Sequence, residues 1–414
     1  VNEMHEIPKG WKYLILKKLI TQDIKNGYSP NCPEEPNGRW ILSLGNLTEN
    51  GFDTSQVKPA PKDDIRVQDF LLEPGDFLIS RSNTLDKVGR TMLFRGEIEN
   101  CSYPDLLMRF RVDEQQVTNE YLEGYLRSSI VRTYIQRCAS GTSGSMVKIN
   151  KTAVEKIPVV LPTLPEQKAI ADLLATWDEA IEKNERLIQA KEERFKWLLQ
   201  ELISEPRNTP KGAKWEKVKL EQVCKIASKE KLSSVDGHFL LTVKLHCLGI
   251  ERNDRIAPKL TERGRPYYQH KSGDFLIGRQ NFHNGGFGII PPELDGGITS
   301  NAISCLILNK SKLSKDFLWF QFANPNYYKK VGHVMDGTGQ KELSDKQILK
   351  LKIFLPDLET QNQIAEIMSS AQHEIVLLKQ LAKKYKIQKR GLMQKMLTGE
   401  WRVKPEIINQ YMEA

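Results

Sequence analysis

No stretch of the 414-residue sequence approaches the ~18 consecutive apolar residues that a membrane-spanning helix needs. The first residues, with Glu3 and Glu6, hold no apolar run of the signal-peptide kind, so a secreted or membrane protein is not expected. Six cysteines (Cys32, Cys101, Cys138, Cys224, Cys247 and Cys305) are scattered without a C-x-x-C pair, which speaks for reduced cytosolic thiols and against a disulfide framework or a zinc site. The seven histidines (His5, His238, His246, His270, His283, His333 and His373) show no ligand or triad spacing, so surface or packing roles and no metal are expected of them. Gly273 and Gly278 have the glycine spacing of a phosphate-binding loop, yet Arg279-Gln280 stands where Lys-Ser/Thr is required. Asn324-Pro325-Asn326-Tyr327 resembles an adenine-methyltransferase motif, but no glycine-rich cofactor turn accompanies it, and a helix-breaking turn is the plainer meaning. Glu166-Gln167-Lys168 could close a nuclease motif, but it lies at a helix start, where a carboxylate favours the dipole. No catalytic constellation emerges.

What the chain does have is enough apolar sequence for real cores, at 39% hydrophobic and 27% charged residues. Its length suits two or three domains. Sixty-one Lys and Arg against 52 Asp and Glu leave a charge of +9, which favours polyanionic partners, nucleic acid first, without requiring one.

The sequence is also written twice. Gly75-Asp76-Phe77-Leu78-Ile79 recurs as Gly273-Asp274-Phe275-Leu276-Ile277, and Pro8-Lys9-Gly10 before Trp11 recurs as Pro210-Lys211-Gly212 before Trp215. Gly141-Thr142 recurs as Gly337-Thr338, Leu161-Pro162 as Leu355-Pro356, and Gln167 with Ile170-Ala171 as Gln361 with Ile364-Ala365. A period this long is no solenoid. It implies two copies of a domain-plus-connector unit and a pseudo-twofold molecule.

Each copy changes character at its Leu-Pro. Before it, short β-rich runs (40–44, 76–80, 106–112) alternate with turn residues, and one helix is expected over Asn119 to Arg137, with a counterpart over Lys315 to Lys330. After it, Thr163 as N-cap and Pro165-Glu166 in the first turn start a long helix. Its apolar members are Ile170, Leu174, Trp177, Ile181, Ile188, Phe195, Leu198 and Leu202, in 4-3 spacing once Asn184 and Lys191 are included. The second copy runs Ile364, Met368, Ala371, Ile375, Leu378, Ala382, Tyr385, Lys389, Leu392 and Met396. A sustained 3.5-residue period is a coiled-coil seam. A whole domain separates the two helices, so they can pair antiparallel within the chain; the alternative is that each lies on its own domain. The fold class is therefore α+β: two repeated mixed α/β domains (1–162 and 206–356), two long helices (163–205 and 357–400) and a tail (401–414).

Side chains suited to base edges follow the repeated strand: Arg81, Ser82, Asn83 and Lys87 in copy one, and Arg279, Gln280, Asn281 and His283 in copy two. Arg pairs bidentately with guanine, and Asn or Gln with adenine. The Gly-Thr loops add Thr142, Ser143 and Ser145, then Thr338, Gln340 and Lys341, as donors to phosphate or base. Because Arg81 and Arg279 occupy identical repeat positions, a scaffold or phosphate role is as open to them as base reading.

Taken together, these pieces resemble the specificity subunit of type I restriction-modification enzymes over nearly the whole chain. Leu161-Pro162-Thr163-Leu164-Pro165-Glu166-Gln167 matches that family's helix start, and Leu392-Met393-Gln394-Lys395-Met396-Leu397-Thr398-Gly399 its closing motif. Leu355-Pro356-Asp357-Leu358-Glu359-Thr360-Gln361 departs by Glu-Thr for Pro-Glu. The resemblance implies two target recognition domains, each reading half of a bipartite double-stranded DNA site, and helices that set the spacer. It implies a non-catalytic chain, cytoplasmic in a prokaryote, that docks two methyltransferase subunits and then restriction subunits. S-adenosylmethionine, ATP and Mg would belong to those partners only. A coiled-coil scaffold whose domains bind protein, and an enzyme with an unrecognised site, are the other classes open to such a chain.

Overall fold

The computed structural model describes residues 7–49, 51–141, 146–203, 215–261, 264–332 and 342–412. The chain forms two compact units, residues 1–184 with 381–414, and residues 185–380. Each unit thus holds one domain, part of that domain's own helix and part of the other's.

In the first unit the central sheet has the order Ile20–Asn26, Leu107–Val112, Phe77–Ser80, Thr91–Leu93. Phe77–Ser80 is buried at every residue, because the sheet is covered on both faces. One core gathers Phe77, Ile79, Phe110, Tyr121 and Leu122; another, on the opposite face, gathers Leu78, Met92, Phe94 and Tyr103. Lys12–Ile15 pairs antiparallel with Pro158–Leu161 and ties the beginning of the domain to the start of the long helix.

The second unit repeats this layout. Its central sheet runs Cys224–Ile226, Ile303–Leu308, Phe275–Gly278, Phe287–Ile289, and Glu216–Lys219 pairs with Lys352–Leu355. The single helix expected in each copy is instead two. Asn119–Leu126 and Ser129–Cys138 are separated by Ser128, whose side chain caps the second, and Lys315–Ala323 and Pro325–Val331 by Asn324, which caps likewise. The small capping side chain offers the backbone a bond outside the first helix, and Pro325 then restarts it. Of the run 40–44 only Trp40–Ile41 is strand; Ser43 caps a short 3-10 turn instead.

The long helices are Leu164–Leu198, continued by a π turn to Ile203, and Leu358–Thr398. Their seam faces inward, as the heptads require. In the first unit Ile170 and Leu174 join the domain core with Met396 and half-buried Leu392, while Trp177 meets Tyr385 edge-to-face with ring centroids 5.8 Å apart and Ile181 lies half-buried. The polar seam member Lys389 pairs there with Asp178. In the second unit Ile364, Met368 and Leu198 join the domain core, Ile375 is buried, and Ile188 and Leu378 are half-buried. Lys191, another polar seam member, meets Glu374 at 2.6 Å, and Lys379 meets Glu192 at 2.6 Å. In the first unit residues 170–178 lie with 385–396 and in the second residues 191–198 with 364–379, so the partner's number falls as the first helix's rises and the pairing is antiparallel. The two readings of the helices both hold: their outer turns pack into domain cores and their middle turns on each other.

Candidate nucleic-acid interface

Two buried glutamines fix the helix starts in the same way. Gln167 accepts from the Thr118 N–H at 2.9 Å and donates to the Gln116 and Pro162 carbonyls. Gln361 accepts from Ser314 N–H at 2.8 Å and donates to Lys312 and Pro356. Every bond recurs in register, so Thr118 and Ser314 mark equivalent positions.

In copy one the strand Phe77–Ser80 runs into a loop that returns as Thr91–Leu93. The buried Ser80 hydroxyl donates to the Lys87 carbonyl at 3.0 Å and accepts from Arg90 N–H at 3.1 Å. Gly89 has φ +71°, and a Cβ there would stand 2.5 Å from Ile135, so only glycine fits. Arg132 donates to the Val88, Leu85 and Asp86 carbonyls and fastens the loop from beneath. On this platform Ser82–Asn83 pairs with Val147–Lys148. The Ser82 hydroxyl is buried without a partner among the described residues. Asn83 accepts from Thr84 N–H at 2.9 Å, Lys87 is exposed, and half-buried Arg81 has no carboxylate within 4 Å among the described residues.

Copy two differs at the same place. Phe282 is wholly buried, and around it Phe282–Asn284 makes one 3-10 turn closed by Gly285 at φ +73°. Arg279 is ion-paired, its Nη2 lying 2.7 Å from Glu342 Oε1. His283 has its Nε2 3.1 Å from the Asn284 amide nitrogen and its Nδ1 buried without a partner. Gln280 is half-buried and Asn281 exposed. The structure therefore gathers Arg81, Ser82, Asn83 and Lys87 on one platform, and Gln280 and Asn281 on another, with Arg279 engaged in a pair. Thr142, Ser143, Ser145, Thr338, Gln340 and Lys341 lie outside the described residues.

Two features escaped the sequence reading. Glu166 does more than favour a dipole: it is buried, accepts from Trp11 Nε1 at 3.0 Å, and takes a two-pronged pair from Arg402 at 2.6 and 2.8 Å. Lys229, His270, Asp274 and Cys305 converge in copy two. The ligand-capable atoms of the last three lie within 4.8 Å of one another, but the Lys229 ammonium sits among them, 2.6 Å from Asp274 Oδ2 and 3.0 Å from His270 Nδ1. Its three protons are taken by these two and the Gln269 carbonyl, so the protein's own cation neutralises the cluster. Burial opposes ionisation of Asp274, yet His270 beside it and the bonds from Lys229 and the Lys271 N–H hold its carboxyl far below the usual range; burial pushes His270 down. Asn324 of the methyltransferase-like tetrapeptide is a helix cap, accepting from Asn326 N–H at 2.9 Å, which is the helix-breaking turn read from the sequence.

A mixed domain occurring twice, each copy presenting a different set of polar side chains on one strand-loop frame, defines a protein of paired recognition domains. The chain belongs to the type I restriction modification DNA specificity domain family, matched over residues 8–192 and again over 212–388. It is 25% identical, over 97% of its length and 96% of the relative's, to a Methanocaldococcus jannaschii protein assigned as the MjaX specificity subunit of a type I restriction enzyme. It is 27% identical to that organism's MjaVIII specificity subunit, over 64% of this chain and 67% of the other. Among solved structures, the M. genitalium type I restriction-modification S subunit is similar at a TM-score of 0.59 and 14% identity, covering 96% of this chain and 98% of that one. The HsdS subunit of Thermoanaerobacter tengcongensis is similar at 0.50 and 15%, covering 96% and 99%. The chain is a type I specificity subunit with two recognition domains, and specificity subunits of these systems are in general non-catalytic. Among the described residues no helix is long and apolar enough to cross a membrane.

Proposed function

We propose that each recognition domain reads one half of a bipartite duplex site, that the two long helices set the spacer, and that the chain acts as the address of a modification and restriction complex in a prokaryotic cytoplasm. The carrying observation is the shared frame with unlike loop chemistry: Ser82 in one copy stands where Gln280 stands in the other, and Thr84 where Phe282 is buried, with Lys87 exposed in the first loop only. Phosphate contacts set register while base-edge contacts set sequence, and a common scaffold with variable polar tips separates the two tasks.

Two methyltransferase subunits and, beyond them, restriction subunits are the proposed partners. S-adenosylmethionine, ATP and Mg are proposed to be theirs. Away from the seam the helices carry exposed apolar side chains, among them Trp197 at 56%, Ile367 at 50%, Leu377 at 50% and Ile387 at 59% exposure. Such residues on charged helices suit a partner surface.

The test is selection of bound duplexes from a random library by the chain reconstituted with its methyltransferase subunits. Two half-sites should emerge, and replacing residues 206–356 by a relative's domain should change one and leave the other. Retention of no duplex would overturn this reading in favour of a protein-binding scaffold. A change in both half-sites would overturn the division of labour.

A further inference from the structure

We infer that a cavity in the first unit, walled by Arg90, Arg127, Arg132 and Arg390, is a seat for a phosphodiester of the DNA backbone. It rests on the reading above that this domain contacts duplex DNA. The cavity has a volume of about 470 Å³, and Glu49 and Asp86 are the acidic residues that line it.

The arginines come from separate elements. Arg90 ends the loop that carries Ser82, Asn83 and Lys87, Arg127 and Arg132 flank the break between the paired short helices, and Arg390 projects from the second long helix. Three of them are held by neutral groups. Arg90 donates to the Leu47 carbonyl at 3.3 Å, Arg127 to the Glu49 carbonyl at 2.9 Å, and Arg132 to the three loop carbonyls already described. None of these three has a carboxylate within 4 Å among the described residues. Arg390 has one, Glu49 at 3.3 Å, but both partners are more than 70% exposed, so that pair is weak.

A guanidinium bound to carbonyls is fixed in place while its charge stays uncompensated. Burial, with Arg90 nearby, lowers the Arg132 proton affinity, so like charges are being held together at a cost. Asp86 stays ionised, its carboxyl lowered by the Thr84 hydroxyl, and with Glu49 it offsets only part of four positive charges. The remainder calls for an anion. Fixed guanidinium forks suit the several oxygens of a phosphate better than a single carbonyl or hydroxyl.

Position identifies which anion. The candidate base readers and this cavity share one loop, fastened by Arg132 itself, so a duplex reaching Asn83 passes close to the arginines. At the equivalent positions in copy two stand Gly286, Ala323 and Tyr328, matched through the strand register and the shared helix caps, and Lys196 stands in place of Arg390, so three of the four cations are missing there. The seat is therefore a property of one half-site's reader.

The experiment compares the assembled complex of this chain and its methyltransferase subunits, wild type against Arg127→Gln and Arg390→Gln, on the selected duplex. Affinity is measured across salt concentrations, and again with single phosphates replaced by neutral methylphosphonates. Each variant should keep its sequence preference, show a salt slope shallower by about 0.9, and lose binding on every duplex alike. One or two methylphosphonates beside the first half-site should weaken the wild type and leave Arg127→Gln unaffected. Arg390→Gln, at an exposed position, guards against a folding failure. Unchanged slopes and methylphosphonate profiles in both variants would overturn the seat while leaving sequence reading intact. Lost affinity for the methyltransferase in place of DNA would also overturn it, assigning the cavity to an acidic protein segment. A wild-type complex that selects no duplex would remove the parent reading and this one together.

Discussion

The two copies agree where the chain has to be joined and disagree where it has to be read. Gln167 and Gln361 make the same three bonds to the same three places, and the central sheets share one strand order. A buried amide with both oxygen and nitrogen satisfied costs little and fixes one geometry, which no apolar side chain could specify. The loops after Ser80 and Gly278, by contrast, share only their first arginine, one asparagine and a left-handed glycine before the return strand, Gly89 or Gly285; every other side chain differs. The same frame thus holds two unlike tips.

That contrast can be broken at the glutamines. Gln167→Leu should leave the Thr118 N–H and two carbonyls unpaired in a buried place, costing the first unit about 3 kcal/mol, and Gln361→Leu should cost the second unit the same within about 1 kcal/mol. Chemical denaturation followed by the tryptophans of each unit would read both. A loss confined to one variant would show that the shared bonds are not shared in weight.

The second comparison is expected to be unequal. Glu166 binds Trp11 and Arg402, whereas its repeat counterpart is Thr360, which donates to the Asp357 carboxylate as part of an exposed cap. Trp215, the counterpart of Trp11, accordingly has its indole N–H buried without a partner among the described residues. Arg402→Ala strands a buried carboxylate; with the arginine itself 39% exposed, the loss should be about 2 kcal/mol, against less than about 1 kcal/mol for Thr360→Ala. Equal melting shifts for the two variants would mean that the tail clasp does not hold the first unit together.

How much of this was legible follows from sequence distance. Repeats, heptads and the Leu-Pro helix starts are local patterns, so the α+β class, the duplication and the antiparallel helices could be read directly. The Gly-Asp-Phe repeat was legible too, though not its meaning: Asp76 turns out to be a fully buried acceptor for Arg111 at 2.7 Å and for the Glu73 N–H. What could not be read were meetings of residues far apart in the chain. Lys229 finds Asp274 across 45 positions, Glu166 finds Arg402 across 236, and the arginine cavity draws on residues from 90 to 390. Glu166 was assigned to the helix dipole because that is all its neighbours in sequence suggest. The break at Asn324 reads as a helix-breaking turn because a proline follows it, whereas Ser128, with no proline after it, reads as part of one continuous helix.

The smallest effect concerns the one arginine the loops share. Ile149 N–H donates to the Arg81 carbonyl as Leu343 N–H does to Arg279, which makes Lys148 and Glu342 counterparts. In copy one a cation therefore stands beside Arg81, and in copy two a carboxylate holds Arg279. If both arginines face the duplex, only Arg81 does so with its charge free. Arg81→Ala should weaken binding by roughly 1–3 kcal/mol at one base if it reads guanine, or shift the salt slope by about 0.9 if it meets phosphate. Arg279→Ala should weaken binding by less, since it removes a charge already neutralised. Glu342→Lys should release Arg279, and with it steepen the salt slope by roughly one contact, a gain of about 1 kcal/mol at low salt that vanishes as salt rises. Lys148→Glu should do the reverse in copy one, drawing Arg81 into a pair and weakening binding by a similar amount. Equal effects of Arg81→Ala and Arg279→Ala, with Glu342→Lys silent, would show that the Glu342 pair opens at no cost on DNA, and that the two loops meet the duplex through the same arginine after all.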